Sequence, residues 1–548
     1  MELYQAALRK ARETLDDVIV YVPISGKLSV DDVAAGGAVA YANIGKASNK
    51  EVINAKITNA TITTQNAGVI DVESLDNAKM TTVGTGAGAS GGKFAFQGAA
   101  AVSNVNKDNI AEISNSNITG GTPDIKIIST SGGNGNDGLN FGDDKINVNN
   151  KINTATGVID VDFTDETWFN GEFAIGVNKF NQSTQANFKN TTRPKIVSNA
   201  GNVNIYSNSE ADILGVLAGC SGGKSKVSAS GSTAYNFINN SAESLVENAN
   251  VNASKNFGVV SQSDDKIANY AGAVNINVGG YAPIGVSVAY NEITGNTNAN
   301  VKDSELEVTG SNSDLIAISN PKDNLLDGYV TKNNWTSGGL FKGRKSENKS
   351  GVVVNSSATH SISSDLATIG IRASADKSSV GVSGTVNINK ISGATNAKVE
   401  GSNVSGNTDS FVNASDYTNN GSFIGNAAVS GTAAIVFAAA SGDNVVRNQM
   451  DGTTTAKIEN ATVNHSGAVN VDAYHKDNAF ATNIAGSAAV DTSIVGAVGV
   501  NNNYVTNTVH AGIKKNSTLN VGAVDVNAKN TSEIKADGGV ASVAVNIS

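Results

Sequence analysis

The chain has 548 residues, a net charge of −10, 16% charged and 5% aromatic residues, and 58 glycines against five prolines. Such an acidic chain lacks the basic surface that phosphate backbones require, which argues against a nucleic-acid partner. A single cysteine excludes an intramolecular disulfide framework and a thiolate metal cluster. The abundant small and β-branched residues suit thin, layered strands.

The first 25 residues predict a short N-terminal capping helix. Apolar residues recur there at helical spacing, namely Leu3, Ala7, Leu8, Ala11, Leu15, Val18 and Ile19. The stretch has no apolar core followed by a cleavage site, so it is not typical of a signal peptide. A helix at this end would protect strand edges that otherwise invite aggregation. We expect the rest, residues 26–548, to be one continuous solenoid.

From residue 26 onward the chain repeats one pattern: a polar run, then Ala-x-Ile/Val, a turn and an apolar strand. The second residues of the copies are Ala55, Ala111, Ala186, Ser244, Ala299, Ala397, Ala456 and Ala511. Five of the seven spacings between successive copies lie between 55 and 59 residues. The other two, 75 and 98 residues, indicate insertions near residues 131–150 and 327–351. A fixed period of this kind predicts a repeat architecture.

Within a unit, polar and apolar residues alternate along short stretches, as in residues 467–474. This period of two predicts strands, and no unit shows the helical stripe of a βαβ crossover. We predict an all-β fold, a right-handed parallel β-helix of imperfect units of about 56 residues. Each unit should hold two or three coils of roughly 20 residues, giving a rod on the order of 110–130 Å long. Stacked Asn and Thr should bond along ladders.

Residues 275–310 and 496–548, which include NINVGGYAPIGVSVAYNEITGN and GAVGVNNNYVTNTVHAGI, resemble the repeats of fusobacterial leukotoxin-type filamentous adhesins. The likeness extends over most of the chain from about Gly36 and lies in repeat texture. It implies an internal passenger segment, extracellular or on the outer-membrane surface. It also implies export through an outer-membrane β-barrel translocator and contact with a host-cell glycan or protein receptor. The usual Asn-Pro-Asn secretion motif is missing, since Asn320-Pro321 is followed by Lys322.

The larger insertion, residues 327–351, is the best candidate binding site. It is basic and contains Trp335, one of only two tryptophans. A basic, aromatic loop on an acidic solenoid suits a sialylated glycan, an anionic lipid or an acidic receptor. The alternative is a solvated excursion whose aromatic side chains pack back on the solenoid. The candidate binding residues are Lys332, Trp335, Phe341, Lys342, Arg344 and Lys345.

Two further motifs favour plain structural interpretations. Residues 132–140, GGNGNDGLN, match one nonapeptide of the calcium-binding repeat toxins. Because a single copy cannot enclose an ion, a Gly/Asn-rich loop is the favoured interpretation. Trp168 lies among Asp162, Asp165, Glu166 and Glu172. Paired carboxylates beside an aromatic ring can form a sugar-cleaving site, yet an exposed acidic turn anchored by Trp is commoner.

We therefore expect a non-enzymatic adhesin segment with no cofactor and no metal. The four histidines are scattered along the chain, and no nucleophile elbow or phosphate loop is present in strand–helix context. One alternative is a carbohydrate-active β-helix such as a polysaccharide lyase or hydrolase, which predicts charged residues clustered on one face. Another is a passive stalk without a ligand.

Overall fold

The computed structural model describes residues 18–21, 28–30, 33–65, 67–90, 93–134, 147–148, 150–162, 167–310, 316–319, 346–374, 378–432, 437–490 and 492–545. Across these residues the protein is all β, with 33 strands and no helix. Consequently no helix in this part of the chain is long and apolar enough to cross a membrane.

In chain order the strands begin with β1 (Val18–Tyr21), β2 (Leu28–Val30), β3 (Val33–Ile44), β4 (Glu51–Thr58), β5 (Thr61–Thr64), β6 (Val69–Asp76), β7 (Lys79–Ser90), β8 (Phe94–Ser114), β9 (Asn117–Gly120), β10 (Asp124–Ser131) and β11 (Gly133–Asn134). They continue with β12 (Asn147–Val148), β13 (Lys151–Asp162), β14 (Phe169–Lys189), β15 (Ser198–Ala200), β16 (Val203–Gly223), β17 (Val227–Glu247), β18 (Asn250–Ala253), β19 (Phe257–Val278), β20 (Ala282–Lys302), β21 (Glu305–Val308) and β22 (Ile316–Ser319). The last are β23 (Ser346–Lys349), β24 (Val352–Ser374), β25 (Ser379–Glu400), β26 (Asn403–Gly406), β27 (Ser410–Thr432), β28 (Phe437–Glu459), β29 (Thr462–His465), β30 (Ala468–Val490), β31 (Thr492–Lys514), β32 (Thr518–Asn520) and β33 (Ala523–Val545).

One coil of the solenoid consists of two long strands and one short strand, as in β16, β17 and β18, and the next coil repeats this order in β19, β20 and β21. Equivalent strands stack in parallel to form three sheets. The first sheet runs β1-β7-β13-β16-β19-β24-β27-β30-β33, the second continues from β3 through β8, β14, β17, β20, β25 and β28 to β31, and the third is β15-β18-β21-β26-β29-β32. The predicted parallel β-solenoid is confirmed.

The repeat positions found in the sequence stack in a single row of the second sheet. Ala55 pairs with Ala111, Ala111 with Ala186, and the row continues without a slip to Ala511. The expected two or three coils per unit are wrong, because one unit forms one coil with long strands of 21–23 residues. The predicted long rod is wrong as well. The eight second-sheet strands span about 35 Å along the axis, while a long strand extends roughly 70 Å across it.

Of the predicted N-terminal helix over residues 1–25, the described part is Val18–Tyr21. These four residues form β1, which pairs in parallel with Met80–Val83 of β7, so the helix prediction is wrong for them. Their sequence, Val-Ile-Val-Tyr, consists of β-branched and aromatic residues that favour strands. The rest of the predicted helix lies outside the described residues.

The widest apolar core lies where the three sheets meet. It is bounded by the first residues of the first-sheet strands, the last residues of the second-sheet strands and the third sheet. Val259, Val301 and Leu306 represent the three sides in one coil, and each is at most 1% exposed. Small Ala and β-branched Val and Ile fill this core because stacked coils bring identical positions within contact distance.

A sharp corner follows most second-sheet strands, namely β4, β8, β17, β20, β25, β28 and β31. It depends on a residue with φ between 48 and 60°, in the left-handed region that Asn, Asp and Gly tolerate best. The corner residues are Asn59, Asn115, Asn248, Asp303, Gly401, Asn460 and Lys515. Repetition of this conformation turns the chain toward the short strand at the same point in each of these coils.

Away from that core, the two long sheets pack face to face and enclose alternating apolar and polar layers. An apolar layer rich in Ile, called the Ile layer, includes Ile238, Ile293 and Ile391. Beside it runs a ladder of asparagine amides, each donating to the next with N···O distances of 2.7, 2.7, 2.8, 3.1 and 2.9 Å. The ladder consists of Asn178, Asn236, Asn291, Asn389, Asn448 and Asn503. The predicted stacking of Asn along ladders is therefore confirmed.

A charged layer lies on the other side of the Ile layer. His360 Nδ1 is 3.1 Å from an Asp265 carboxylate oxygen, and His475 Nε2 is 2.9 Å from Asp477. Burial acts to lower the pKa of His360, but the hydrogen bond to Asp265 and the charge of Asp416 outweigh it, so the pKa is raised. Two histidines that look scattered in the sequence thus share one buried layer.

Candidate functional site

A polar groove of about 640 Å³ lies at the corner where the third sheet passes into the first. We call it the corner groove. Four successive coils contribute to it, each with the end of a short strand and the following turn. The groove is lined by Glu307, Thr309, Ser405, Gly406, Asn407, Asn464, His465, Ser466, Asn520, Val521 and Gly522.

Alternation along the short strands explains why polar side chains line this groove. In β21, Leu306 points into the core and is 1% exposed, whereas its neighbour Glu307 is exposed. The same alternation recurs in β26 and β29, with the apolar residue buried and the next residue facing outward. Parallel register then stacks the outward positions of the four strands, Glu307, Ser405, Asn464 and Asn520, into one row. Asn520 Nδ2 donates to Asn464 Oδ1 at 3.0 Å.

The groove offers mostly neutral hydrogen-bonding groups. His465 Nε2 lies 2.8 Å from the Ser410 hydroxyl, and burial lowers the pKa of the imidazole. Its Nδ1 has no hydrogen-bond partner among the described residues. The one carboxylate, Glu307, accepts from Asn252 Nδ2 at 3.3 Å. Amides, hydroxyls, a neutral imidazole and one carboxylate can together bind a ligand that both donates and accepts hydrogen bonds, as sugars do.

The larger insertion leaves the solenoid at this groove. Thr309 lines the groove, and it opens the chain segment between β21 and β24 that contains the 327–351 insertion. The base of this segment is an antiparallel pair, Ile316–Ser319 with Ser346–Lys349. The Lys349 ammonium lies 5.0 Å from the centroid of the Phe411 ring on the first sheet, within range of a cation–π interaction. The insertion is therefore anchored beside the corner groove.

The six sequence-predicted binding residues lie outside the described residues, and so they stay a prediction. They are Lys332, Trp335, Phe341, Lys342, Arg344 and Lys345. What the structure establishes is where their loop begins and ends. The segment leaves after β21, whose Glu307 lines the groove, and returns into β24, the first strand of the next coil.

The predicted exposure of the acidic residues around Trp168 is wrong for the two that the structure describes. Asp162 and Glu172 are buried, with 1% and 0% exposure, while Trp168 is 55% exposed. The reason is the alternation along β13 and β14, which places these carboxylates on the inner face of the sheets. The other two acidic residues of the turn lie outside the described residues.

The glycine-rich nonapeptide at 132–140 lies for the most part outside the described residues. Its first residues belong to an antiparallel pair formed by β11 and β12. In the part of the chain that the structure describes, no group of three or more His, Cys, Asp or Glu side chains is arranged to hold a metal ion.

Sequence reasoning missed the corner groove because its residues are ordinary Asn, Ser and Glu in separate units. The signal was available in the repeat: Glu307, Ser405, Asn464 and Asn520 occupy one position of successive units. Comparison with protein families, with curated proteins and with solved structures found no match to this chain.

Proposed function

We propose that this chain is a passenger segment of a secreted or surface-exposed filamentous adhesin of the leukotoxin type, and that it binds a host-cell glycan at the corner groove. The observation that carries the proposal is the position of the groove. Outward polar side chains of four coils form it at the point where the basic, aromatic insertion leaves the solenoid.

The chemistry of the groove suits carbohydrate better than an apolar ligand. Its volume of about 640 Å³ lies within the range of ligand-binding clefts. Ser405, Asn464 and Asn520 present hydroxyl and amide groups that match the donors and acceptors of a sugar ring. The insertion would add the aromatic ring of Trp335 and several positive charges, which favour an acidic sugar approaching a chain of net charge −10.

The solenoid supplies a rigid platform for this contact. Binding residues placed on loops above a fixed scaffold are a common arrangement in proteins. In this proposal the coils wind right-handed, as parallel strand connections nearly always do. The chain would reach the extracellular side through an outer-membrane translocator and stay there or on the cell surface.

The test is saturable binding of the labelled chain to leukocytes and epithelial cells and to an array of sialylated and neutral glycans. One variant replaces residues 320–345 with a short Gly/Asn turn, and a second carries Ser405→Ala and Asn464→Ala in the groove. The matched control is Asn502→Ala, which truncates an exposed Asn of the second sheet. We expect both test variants to lose at least tenfold in affinity and the control to bind as the original chain does.

The other outcomes separate the alternatives. Equal binding by all variants would contradict a contact at the groove. Absence of binding by the unaltered chain would leave it as a passive stalk, and turnover of a polysaccharide in the same assay would favour the carbohydrate-active alternative.

A further inference from the structure

Two buried carboxylates face each other inside the solenoid near the ends of β13 and β14. Asp160 and Glu172 are 1% and 0% exposed. Val158 and Ala174 pack together across the interior, and the next inward positions along the two strands are Asp160 and Glu172. This alternation places the two carboxyl groups opposite each other, next to the Val158–Ala174 contact.

The coils above and below do not balance these charges. Parallel register places Ser221 on Asp160 and Ser230 on Glu172 in the following coil. In the preceding coil the same positions hold Gly88 and Gln97. All four neighbours are uncharged, so the adjacent coils stack no cation against either carboxylate. Burial of this kind strongly favours the neutral acid over the ion.

Oxygen atoms without partners surround the pair. Among the described residues, neither oxygen of Asp160 or of Glu172 has a well-aligned hydrogen-bond partner, although the backbone of Val161 approaches the Asp160 carboxylate and the backbone of Asp160 and Cys220 approaches that of Glu172. The Ser221 and Ser230 hydroxyls and the side-chain amide of Asn170 also have none, and these three side chains are at most 4% exposed. Buried polar groups in native proteins are nearly always paired, so this concentration of unpaired oxygens calls for a ligand.

Burial and the neighbouring carboxylate also act on proton binding. Burial first, and then the charge of Asp160, raises the pKa of Glu172 to about 9. Burial likewise raises the pKa of Asp160, with a further contribution from Asp162. Without a bound cation, Glu172 is therefore held protonated at neutral pH, and a cation would have to displace that proton.

We propose that Asp160 and Glu172 bind a hard divalent cation of the Ca²⁺ class, with Asn170, Ser221 and Ser230 supplying neutral oxygens. Ca²⁺ accepts six to eight oxygen ligands and tolerates irregular geometry, which two carboxylates, an amide and two hydroxyls can satisfy with backbone oxygens or water. Two carboxylates balance one divalent charge. A site with only two carboxylates has low affinity, with a Kd on the order of 10⁻⁴–10⁻³ M, as in extracellular calcium modules. This site is distinct from the corner groove.

The experiment measures thermal unfolding and ⁴⁵Ca²⁺ equilibrium dialysis of the full chain at pH 7.5, in EDTA and in increasing Ca²⁺. The test variants are Glu172→Gln alone and Asp160→Asn with Glu172→Gln, which keep the side-chain shapes. The matched control is Asp365→Asn, which neutralises another carboxyl whose pKa burial raises, to about 6. At 100 times the Kd, bound Ca²⁺ should lower the unfolding equilibrium constant of the original chain about 100-fold.

In the original chain and in the Asp365→Asn control, we expect one bound Ca²⁺ per chain and an unfolding temperature that rises with Ca²⁺ concentration. Both test variants should fold in EDTA, since burial already holds Glu172 uncharged and the amides keep the side-chain shapes, and neither should respond to Ca²⁺. No saturable binding by the original chain would overturn the proposal, as would retention of the same binding by the double variant. If the double variant does not fold, Glu172→Gln decides the question, because unchanged affinity in that variant would also overturn it.

Discussion

Replacing Asn389 with Ala would interrupt the asparagine ladder at its centre. Asn389 Oδ1 accepts from Asn291 at 2.8 Å, and Asn389 Nδ2 donates to Asn448 at 3.1 Å and to the Ser422 hydroxyl at 2.8 Å. The side chain is completely buried. The truncation leaves the Asn291 amide without its acceptor in the next coil, while Asn448 Oδ1 keeps only the hydrogen bond from Ser422 at 2.8 Å.

The expected loss follows from these contacts. An orphaned buried donor costs about 1–3 kcal/mol, because water cannot reach it to replace the lost acceptor. The weakened acceptors and the small void left by the amide add to this cost. We therefore expect the free energy of unfolding to fall by about 2–4 kcal/mol. The effect should be concentrated in the neighbouring coils, since repeat proteins are stabilised by contacts between adjacent units.

The assay is urea unfolding followed by circular dichroism, together with amide hydrogen exchange to locate the weakened coils. Asn502→Ala is the control, because Asn502 is exposed on the same sheet and should change stability by no more than about 0.5 kcal/mol. Equal stability of the two variants would refute the view that buried amide ladders hold the two long sheets together.

Three further changes test other layers of the structure. Ala299 is fully buried in the repeat row, so Ala299→Leu should destabilise the chain by about 1–3 kcal/mol through overpacking. Ala367 is exposed, so Ala367→Leu should leave the urea unfolding midpoint unchanged. Burial raises the pKa of Glu172 from 4.5 to about 9, so between these pH values the folded chain binds more protons than the unfolded chain. In EDTA, the free energy of unfolding should therefore fall as pH rises through this range, and Glu172→Gln should flatten the profile. The pKa of His360 is raised in the folded chain, so protonated His360 stabilises the fold at low pH, and this stabilisation is lost as pH rises through the folded pKa. His360→Gln should therefore cost more stability at pH 6 than at pH 9. Equal losses at the two pH values would contradict the role of the His360–Asp265 pair.

The repeat by itself determined which residues stack. The row from Ala55 to Ala511 could be aligned without a structure, because parallel stacking demands the same small inward residue in every coil. Alternation of period two likewise predicted strands and excluded crossover helices. Both features are local or strictly periodic, so one chain contains the information needed to recognise them. The corner groove was partly accessible in this way, through one polar position of successive units.

Tertiary structure alone decided the size of the coil and which face of each strand is inside. The short alternating stretches suggested coils of roughly 20 residues. Instead, many Asn and Ser residues lie within strands of 21–23 residues, where stacked neighbours satisfy the hydrogen bonds of many of their side chains. In β13, Ile159 is 58% exposed while Asp160 beside it is 1% exposed, the reverse of the usual preference. Alternation specifies that every second residue shares a face, but when both faces mix polar and apolar residues, only contacts with the opposite sheet determine which face is buried. For that reason the carboxylate pair, the charged layer and the amide ladder could be located only in the folded chain.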